Sequence, residues 1–335
     1  MSKKYIRSLI GILFSAFFLW LALRGIQWQD AVNAFKQTRY LYIIPALMVY
    51  FLALWVRAYR WTFLMPENVS IKTKEAFPLF IIGCFANNVL PLRLGDLYRA
   101  YLLGRKKNIS VSASFACIFT DKVFDALAVL TFLGMAALLL AGKLPPWEKV
   151  LLQASAVVLL SGVVGLWLVL WFRRLTDKLI NYFIPIIPKK IQPRVQHIIQ
   201  KFLDGLEPLK NHRLVVSAFI FSLISWSIEA VTYYILALAM GLNPPLYATP
   251  IILAVVNLAM MIPTSAGGVG TFEYFSIKTT MASIPGTAKG LAASYTILTH
   301  LSWFIPITVL GLYYYLHQNI SFKDLESSAN PEKGN

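Results

Sequence analysis

Cysteine is nearly missing from this chain. Cys84 and Cys117 are the only two among 335 residues. Both fall in apolar segments, which excludes a disulfide framework or a thiolate metal site and leaves each as a small core hydrophobe. Charge is scarce as well, at 14% of residues, and acids are outnumbered by bases, 15 against 31. The sequence has no G-x-x-x-x-G-K-[ST] phosphate loop, no H-E-x-x-H, no G-x-S-x-G and no Cys/His metal spacing. An ATP-driven pump is therefore not expected from this chain, and neither a cofactor nor a metal is expected.

What the chain has in abundance is hydrocarbon. Hydrophobic residues make up 58% of it and the mean hydropathy is +0.63. Several bilayer-spanning helices require that much apolar surface, and a soluble domain does not. The net charge of +16 sits mainly at the ends of apolar runs. That is the pattern of cytoplasmic anchoring and contact with anionic lipid at the cytoplasmic face, not of nucleic-acid binding.

Uninterrupted spans are expected over residues 8–23, 41–60, 113–141, 150–172, 213–240 and 290–316, each near or above the ~20 residues that cross a hydrocarbon core. The first follows a basic flank, as in a signal peptide. No small-x-small cleavage site follows its run from Leu9 to Leu23, so a retained span with a cytoplasmic amino-terminus is expected. Two more apolar segments, 78–103 and 248–283, are interrupted: the first around Pro91 and Gly95, the second at "MMIPTSAGGVGTFE". Short apolar runs that stop at Pro and Gly read as re-entrant segments.

The expected fold class is thus all-α, a polytopic membrane helical bundle. It has about six full spans plus two broken or re-entrant helical hairpins entering from opposite faces. Residues 1–320 read as a single integral membrane domain, with 175–212 a cytoplasmic amphipathic loop and 321–335 a polar cytoplasmic tail. In this topology the basic residues of the inner loops outnumber those of the outer loops roughly three to one, as expected for the cell membrane. Within the loop, Val195, Ile198, Ile199, Phe202, Leu203 and Leu206 share one helical face. Two readings remain for that face: it lies on the anionic leaflet, or it packs on other cytoplasmic loops.

The apolar segments contain or border Arg57, Arg60, Arg93, Asp96, Arg99, Asp121, Lys122, Asp125, Glu229, Glu273 and His300. Charges at this depth are costly and usually face a cavity or one another. Asp121 and Asp125 share a helix face and repel unless a basic side chain intervenes. Arg57, Arg60 and Lys122 read equally well as packing staples or as functional groups facing a cavity, since long basic side chains can also snorkel to the interface. His300 reads as a packing or hydrogen-bonding residue. After each break a half-helix begins inside the membrane, where backbone N–H groups without helical partners favour an anion such as phosphate. Arg93 and Arg99 supply guanidinium forks for it. The competing reading is that the glycines only let helices approach closely. A faint repetition of Asn, Pro, Gly and acid, in "NVLPLRLGD" and in "NLAMMIPTSAGGVGTFE", suits the inverted repeats of transporters.

"NNVLPLRLGDLYRAYLLGRKKNIS" and the downstream "PTSAGGVGTFE" resemble the lysylphosphatidylglycerol synthase transmembrane-region family, over about residues 5–320. The family's N-x-x-x-P-x-R-x-G-[DE]-x-x-R pattern falls on Asn87, Pro91, Arg93, Gly95, Asp96 and Arg99. Its P-x-x-x-G-G-[LV]-G-x-x-E pattern falls on Pro263, Gly267, Gly268, Gly270 and Glu273. Here Thr264-Ser265-Ala266 stands where a proline commonly precedes the glycines. The resemblance implies a lipid-handling membrane protein, in the best-understood relatives a flippase for an aminoacylated phospholipid. Those relatives carry a separate soluble aminoacyl-transfer domain, which this sequence does not show, so lysine transfer is not implied.

The residues of both motifs are the candidate substrate-binding set, with Asp121, Asp125 and Glu229 as secondary cavity candidates. The leading expectation is a transporter, not an enzyme, that moves a polar or anionic lipid between leaflets, aminoacylated and glycosylated lipids included. Arg93 and Arg99 would engage phosphate, while Asp96 and Glu273 would engage the rest of the headgroup or carry a coupling proton. One alternative is an integral-membrane enzyme acting on a lipid-linked phosphate or sugar. The other is a non-catalytic membrane partner of a lipid synthase. Membrane lipids are the expected partners, and a homodimer and a separate lipid-modifying enzyme complete the partner readings.

Overall fold

The long apolar runs fold as long helices, in a computed structural model that describes residues 13, 15–66, 69–90, 94–139, 146–189, 191–260 and 266–317. Pro91, Arg93 and Pro263 lie outside the described residues, as does the tail 321–335. Among the described residues the regular structure is helical, with no strand. Helix α1 covers residues 15–23, α2 is Trp28–Gln37, and α3 is Ile43–Thr62 after a 3-10 turn at Tyr40–Tyr42. The first broken segment gives α4 (Thr73–Val89) and α5 (Gly95–Lys107). Then come α6 (Val111–Leu139), α7 (Pro146–Trp171), α8 (Arg173–Phe183), α9 (Gln192–Gly205) and α10 (His212–Ala239). The second broken segment gives α11 (Ala248–Ala259) and α12 (Thr271–Ser283), and α13 (Lys289–His317) ends the bundle.

Three stretches, Tyr40–Thr62, α10 and α13, are long and apolar enough to cross a membrane. Helices α6 and α7, of 29 and 26 residues, occupy two more of the expected spans. The halves of the broken segments are shorter. Helix α4 has 17 residues and α11 has 12, rises of about 25 and 18 Å against a hydrocarbon core of about 30 Å.

The contacts of α13 show where each hairpin enters. Against its carboxy-terminal part, Tyr314 meets Phe77 with ring centroids 6.4 Å apart, and a Cβ on Gly311 would run into Phe85. Asn88 Nδ2, near the end of α4, donates to Thr308 Oγ1 at 3.1 Å. The first hairpin therefore comes in from the His317 end of the bundle and stops partway along α13. Its mouth is tied by Lys107 Nζ donating to Glu75 Oε2 at 2.8 Å. Helix α12 begins beside His300, through Glu273, and leaves toward Lys289, with Ser276 and Thr296 hydroxyls 2.8 Å apart. The second hairpin comes in from the opposite end. Helix α1 runs alongside α12, Phe18 against Tyr274, and α2 covers the Lys289 end, where Ser294 Oγ donates to the Ala31 carbonyl at 3.1 Å.

The amphipathic α9 packs on the protein. Leu203 and Leu206 are buried with Ala116 of α6, and Phe202 stacks near Phe115 and Phe119. The spanning helix comes this close because Gly205 lets the two backbones touch at Ala113. The carboxy-terminal part of this face, Leu203 and Leu206, is covered by the protein, while Ile198 stays exposed. Further exposed apolar side chains lie on and just after α8, at Leu179, Tyr182, Phe183 and Ile186.

Two glycines make the hairpins possible. A Cβ on Gly95 would collide with the Gly83 carbonyl and lie 2.5 Å from the Asn87 nitrogen, so α5 starts directly against the backbone of α4. Gly270 has φ +91°, and its Cβ would strike the Ser15 carbonyl of α1. Gly270→Ala is expected to cost about 1–3 kcal/mol in backbone strain alone and to lower the unfolding temperature in detergent micelles. Gly134→Ala, where a Cβ meets nothing within 4 Å, is expected to leave it unchanged or slightly raised. Wild-type unfolding of Gly270→Ala would contradict the tip geometry.

Candidate functional site

Arg60 is fully buried on α3, and two carboxylates of α6 surround it. Its guanidinium donates to Asp121 Oδ1 at 2.6 Å, Asp125 Oδ1 at 2.8 Å and Ser222 Oγ of α10 at 2.6 Å. Arg99 of α5 completes the group, donating to Asp121 Oδ2 at 3.2 Å with its guanidinium 3.6 Å from the Trp61 ring centroid and 4.6 Å from that of Phe80. Asp121 and Asp125, one turn apart, are thus separated by a shared cation, which removes the repulsion their spacing implies. Trp226 Nε1 adds a second donor to Asp125 at 2.9 Å.

Two further ion pairs stand beside this network. Arg57 and Glu229 approach to 2.5 Å, with the guanidinium 4.1 Å from the Trp226 ring centroid. The contact is an ion pair and not an aligned hydrogen bond, since neither Arg57 Nη2 nor Glu229 Oε2 has a hydrogen-bond partner. Lys122 and Asp96 are 3.7 Å apart.

The three ion-paired walls enclose a cavity of about 340 Å³ where the two hairpin tips converge. Arg57, Lys122, Asp96, Asp125 and Glu229 supply its charges. Asn87, Asn88 and Asn257 supply amides, and Tyr50, Tyr233, Trp226, Phe272 and Trp303 supply rings. Gly267 and Gly268 bring backbone of the second tip to the wall. Among the described residues no cluster of His, Cys, Asp and Glu has the geometry to hold a metal ion.

The half-helix ends differ from the expectation of open N–H groups. Asn87 Oδ1 accepts from Gly95 N at 2.9 Å, and Glu273 Oε2 accepts from Gly270 N at 2.6 Å. A donor at the start of α5 and another at the start of α12 are therefore already met by the chain's own side chains, because a helix end buried without a partner is costly. Glu273 also contacts His300, with Oε1 to Nδ1 at 2.5 Å, and His300 Nε2 lies 3.2 Å from the Gly267 carbonyl oxygen.

Of the residues singled out in the sequence, Asn87, Asp96, Asp125, Glu229, Gly267 and Gly268 line the cavity. Gly95 and Gly270 shape the tips. Arg99, Asp121 and Glu273 stand behind the lining, each bound to another side chain. Arg57 and Lys122, left between packing and function by the sequence, also line the cavity, whereas sequence reasoning passed over Asn88, Asn257, Tyr50, Tyr233 and Trp226 as cavity residues. A signal for Arg57 and Arg60 was available. They lie three apart on one span, and Ser222 and Glu229 lie seven apart on another, so each pair shares a helix face.

The description "Lysylphosphatidylglycerol synthase TM region" matches residues 8–311. The chain belongs to the lysylphosphatidylglycerol synthase transmembrane-region family. It is an integral membrane protein, as that membership and the three membrane-crossing helices establish. Relatives include a UPF0104 membrane protein of Methanothermobacter thermautotrophicus, 24% identical over 84% of this chain and 86% of its own length. Another, from Pyrococcus horikoshii, is 25% identical over 92% and 95%. The glycosyltransferase AglD of Haloferax volcanii is 25% identical over 77% of this chain but only 46% of its own length. No solved structure matches the chain.

The buried and cavity-facing pairs are expected to behave differently on substitution. Arg60→Leu leaves Asp121 with Arg99 alone and Asp125 with only the Trp226 indole, and is expected to cost about 3–5 kcal/mol, read as a large fall in unfolding temperature or loss of folded protein. Lys122→Leu, at a pair that is partly exposed in the cavity, is expected to cost under about 1 kcal/mol. Equal effects would contradict the assignment of Arg60 to the interior and Lys122 to the cavity.

Proposed function

We propose that this protein is a flippase-like lipid transporter whose cavity receives the headgroup of a polar or anionic lipid during its passage between leaflets. The observation that carries the reading is the cavity itself. It is charged, lies partway along α13 where two half-crossing hairpins meet, and at about 340 Å³ falls within the usual range for small-molecule sites. Arg57 and Lys122 are the described cations that would take the phosphate. Asp96, Asp125, Glu229 and the asparagines would take the remainder, and Arg93 of the first motif joins the phosphate-binding set. Arg99, Asp121 and Glu273 would act behind them by holding the walls in place.

No bond in the lipid needs to break in this reading. The walls exchange their mutual ion pairs for contacts with the headgroup, and the broken helices supply the movable elements. The basic termini and loops support a cell-membrane protein with its His317 end on the cytoplasmic side.

The similarity to a protein named a glycosyltransferase supports a second reading, a membrane component that acts on, or serves an enzyme acting on, a lipid-linked sugar. One experiment separates the two. Proteoliposomes carrying headgroup-varied fluorescent lipids are assayed for reagent-accessible loss of signal, and the lipids are then weighed by mass spectrometry. The transporter reading expects headgroup-selective flipping, unchanged lipid mass, and at least about a tenfold slowing in Lys122→Ala, the loss of roughly 1.4 kcal/mol of differential binding. A changed lipid mass, or flipping equal in wild type and variant, would overturn it.

A further inference from the structure

At the second hairpin tip the flippase reading gives the buried Glu273 only a wall-holding part and its neighbour His300 none. Glu273 and His300 are 8% and 6% exposed, and their facing atoms are 2.5 Å apart. The partner of His300 Nε2 is the carbonyl oxygen of Gly267, and a carbonyl can only accept. The Nε2 position therefore carries a hydrogen. A neutral imidazole has then no proton left for Nδ1, whose lone pair would face an oxygen of Glu273 at hydrogen-bond distance. The other Glu273 oxygen is occupied as the acceptor for Gly270 N. The contact is attractive only if one further proton is held between Nδ1 and Oε1.

Of the other helices packed on α13, α2 brings Lys36 and Asp30, the latter beside Gly290, and α3 and α10 bring Arg57 and Glu229, which pair with each other. The described residues of α1 and the whole of α11 carry no titratable side chain. From α12, Lys278 turns to the Trp147 and Tyr274 rings. From α13, the Tyr295 hydroxyl donates to the Tyr233 carbonyl of α10. Helix α4 brings Cys84, which faces the cavity. Neither member of the pair has a second ion-pair partner among the described residues.

A row of hydroxyls leads away from the pair. Glu273, Ser276, Thr280 and Ser283 fall on one face of α12 by helical spacing, and Thr296 opposes Ser276 on α13. Ser276, Thr280 and Thr296 are fully buried and Ser283 is 6% exposed. Thr280 Oγ1 has no hydrogen-bond partner, an uncommon state for a buried hydroxyl. From Glu273 to Ser283 the helix rises about 15 Å, which brings the row to the Lys289 end of the bundle.

We propose that Glu273 and His300 form a proton-binding site, reached through the Ser276–Thr296–Thr280–Ser283 hydroxyls from the Lys289 end, and that its occupancy is coupled to the state of the cavity. The proton enters from water at that end and crosses at Thr280, whose hydroxyl has no direct partner, by way of a bridging water. It then passes the Ser276–Thr296 pair and comes to rest between Nδ1 and Oε1. It leaves by the reverse route. Its loss sets a carboxylate against a lone pair and loosens Gly267, whose backbone lines the cavity. Gly267, Gly268 and Gly270, at φ +70°, +72° and +91°, form the hinge that moves. The coupling rests on the transport reading, whereas the proton site does not.

The chain has four histidines, so nuclear magnetic resonance on the full-length protein labelled with 15N-histidine reads the site directly, with His300→Gln assigning the signal. Two ring N–H signals from His300 at neutral pH, reduced to one in Glu273→Gln, are the expected result. Exchange of its Nδ1 proton with deuterated water is expected to slow at least about tenfold in Thr280→Val, which keeps the shape and removes the hydroxyl. A singly protonated His300 at neutral pH overturns the site, and unchanged exchange in Thr280→Val overturns the path. In the liposome assay a pH gradient is expected to change the flipping rate of wild type but not of His300→Gln. Flipping indifferent to the gradient overturns the coupling and leaves the transport reading standing. Absence of flipping sinks the transport reading, and the resonance measurement still decides the proton site.

Discussion

A helix that stops inside a bilayer leaves backbone donors and acceptors where no water can meet them, and each uncompensated group costs several kcal/mol. This chain stops two helices in that way, and much of its architecture follows from that cost. Each tip is built so that its own side chains take the free backbone groups: Asn87 on Gly95 and Glu273 on Gly270. Each tip is also pressed against α13, through Asn88 in one case and His300 in the other. The glycines permit this closeness. Gly95 lets α5 lie on the α4 backbone, and Gly270 turns at a positive φ against α1.

Between the tips, charge replaces hydrocarbon. A single buried guanidinium is a liability in this environment, and Arg60 is tolerable because two carboxylates and a hydroxyl surround it. Such a network contributes less to net stability than to geometry, since its attraction is largely offset by desolvation. What it fixes is the relation between α3, α6 and α10, and with it the cavity walls. The pairs that face the cavity, Arg57 with Glu229 and Lys122 with Asp96, differ in kind. They are less completely enclosed, and in the proposed transport they would exchange one another for a bound headgroup.

Much of the bundle was readable from the chain. The spans expected at 41–60, 213–240 and 290–316 became α3, α10 and α13, displaced by no more than two residues at either end, because length and hydropathy alone decide them. Both breaks were visible through Pro and Gly, and the opposed entry of the hairpins agrees with the topology drawn from charge. Pairing was not readable. Nothing near Arg60 in sequence names Asp121, 61 residues away, as its partner, because partner choice is set by tertiary packing. For the same reason His300 looked isolated until the fold brought Glu273 to it. The amphipathic period of α9 was correct, but periodicity does not say whether lipid or α6 covers the face.

The central claim is that the two hairpins enter from opposite sides and meet. Site-directed labelling in sealed vesicles tests it, starting from a chain with Cys84 and Cys117 replaced and one new cysteine at a time. Ser70→Cys and Lys106→Cys sit at the mouth of the first hairpin, and Leu246→Cys and Ala288→Cys at the mouth of the second, all four at exposed positions. A membrane-impermeant thiol reagent is predicted to reach the first two from one side only and the last two from the other side only. Labelling of Ser70→Cys and Lys106→Cys from opposite sides would make the first segment a single crossing and contradict its entry and exit at one face.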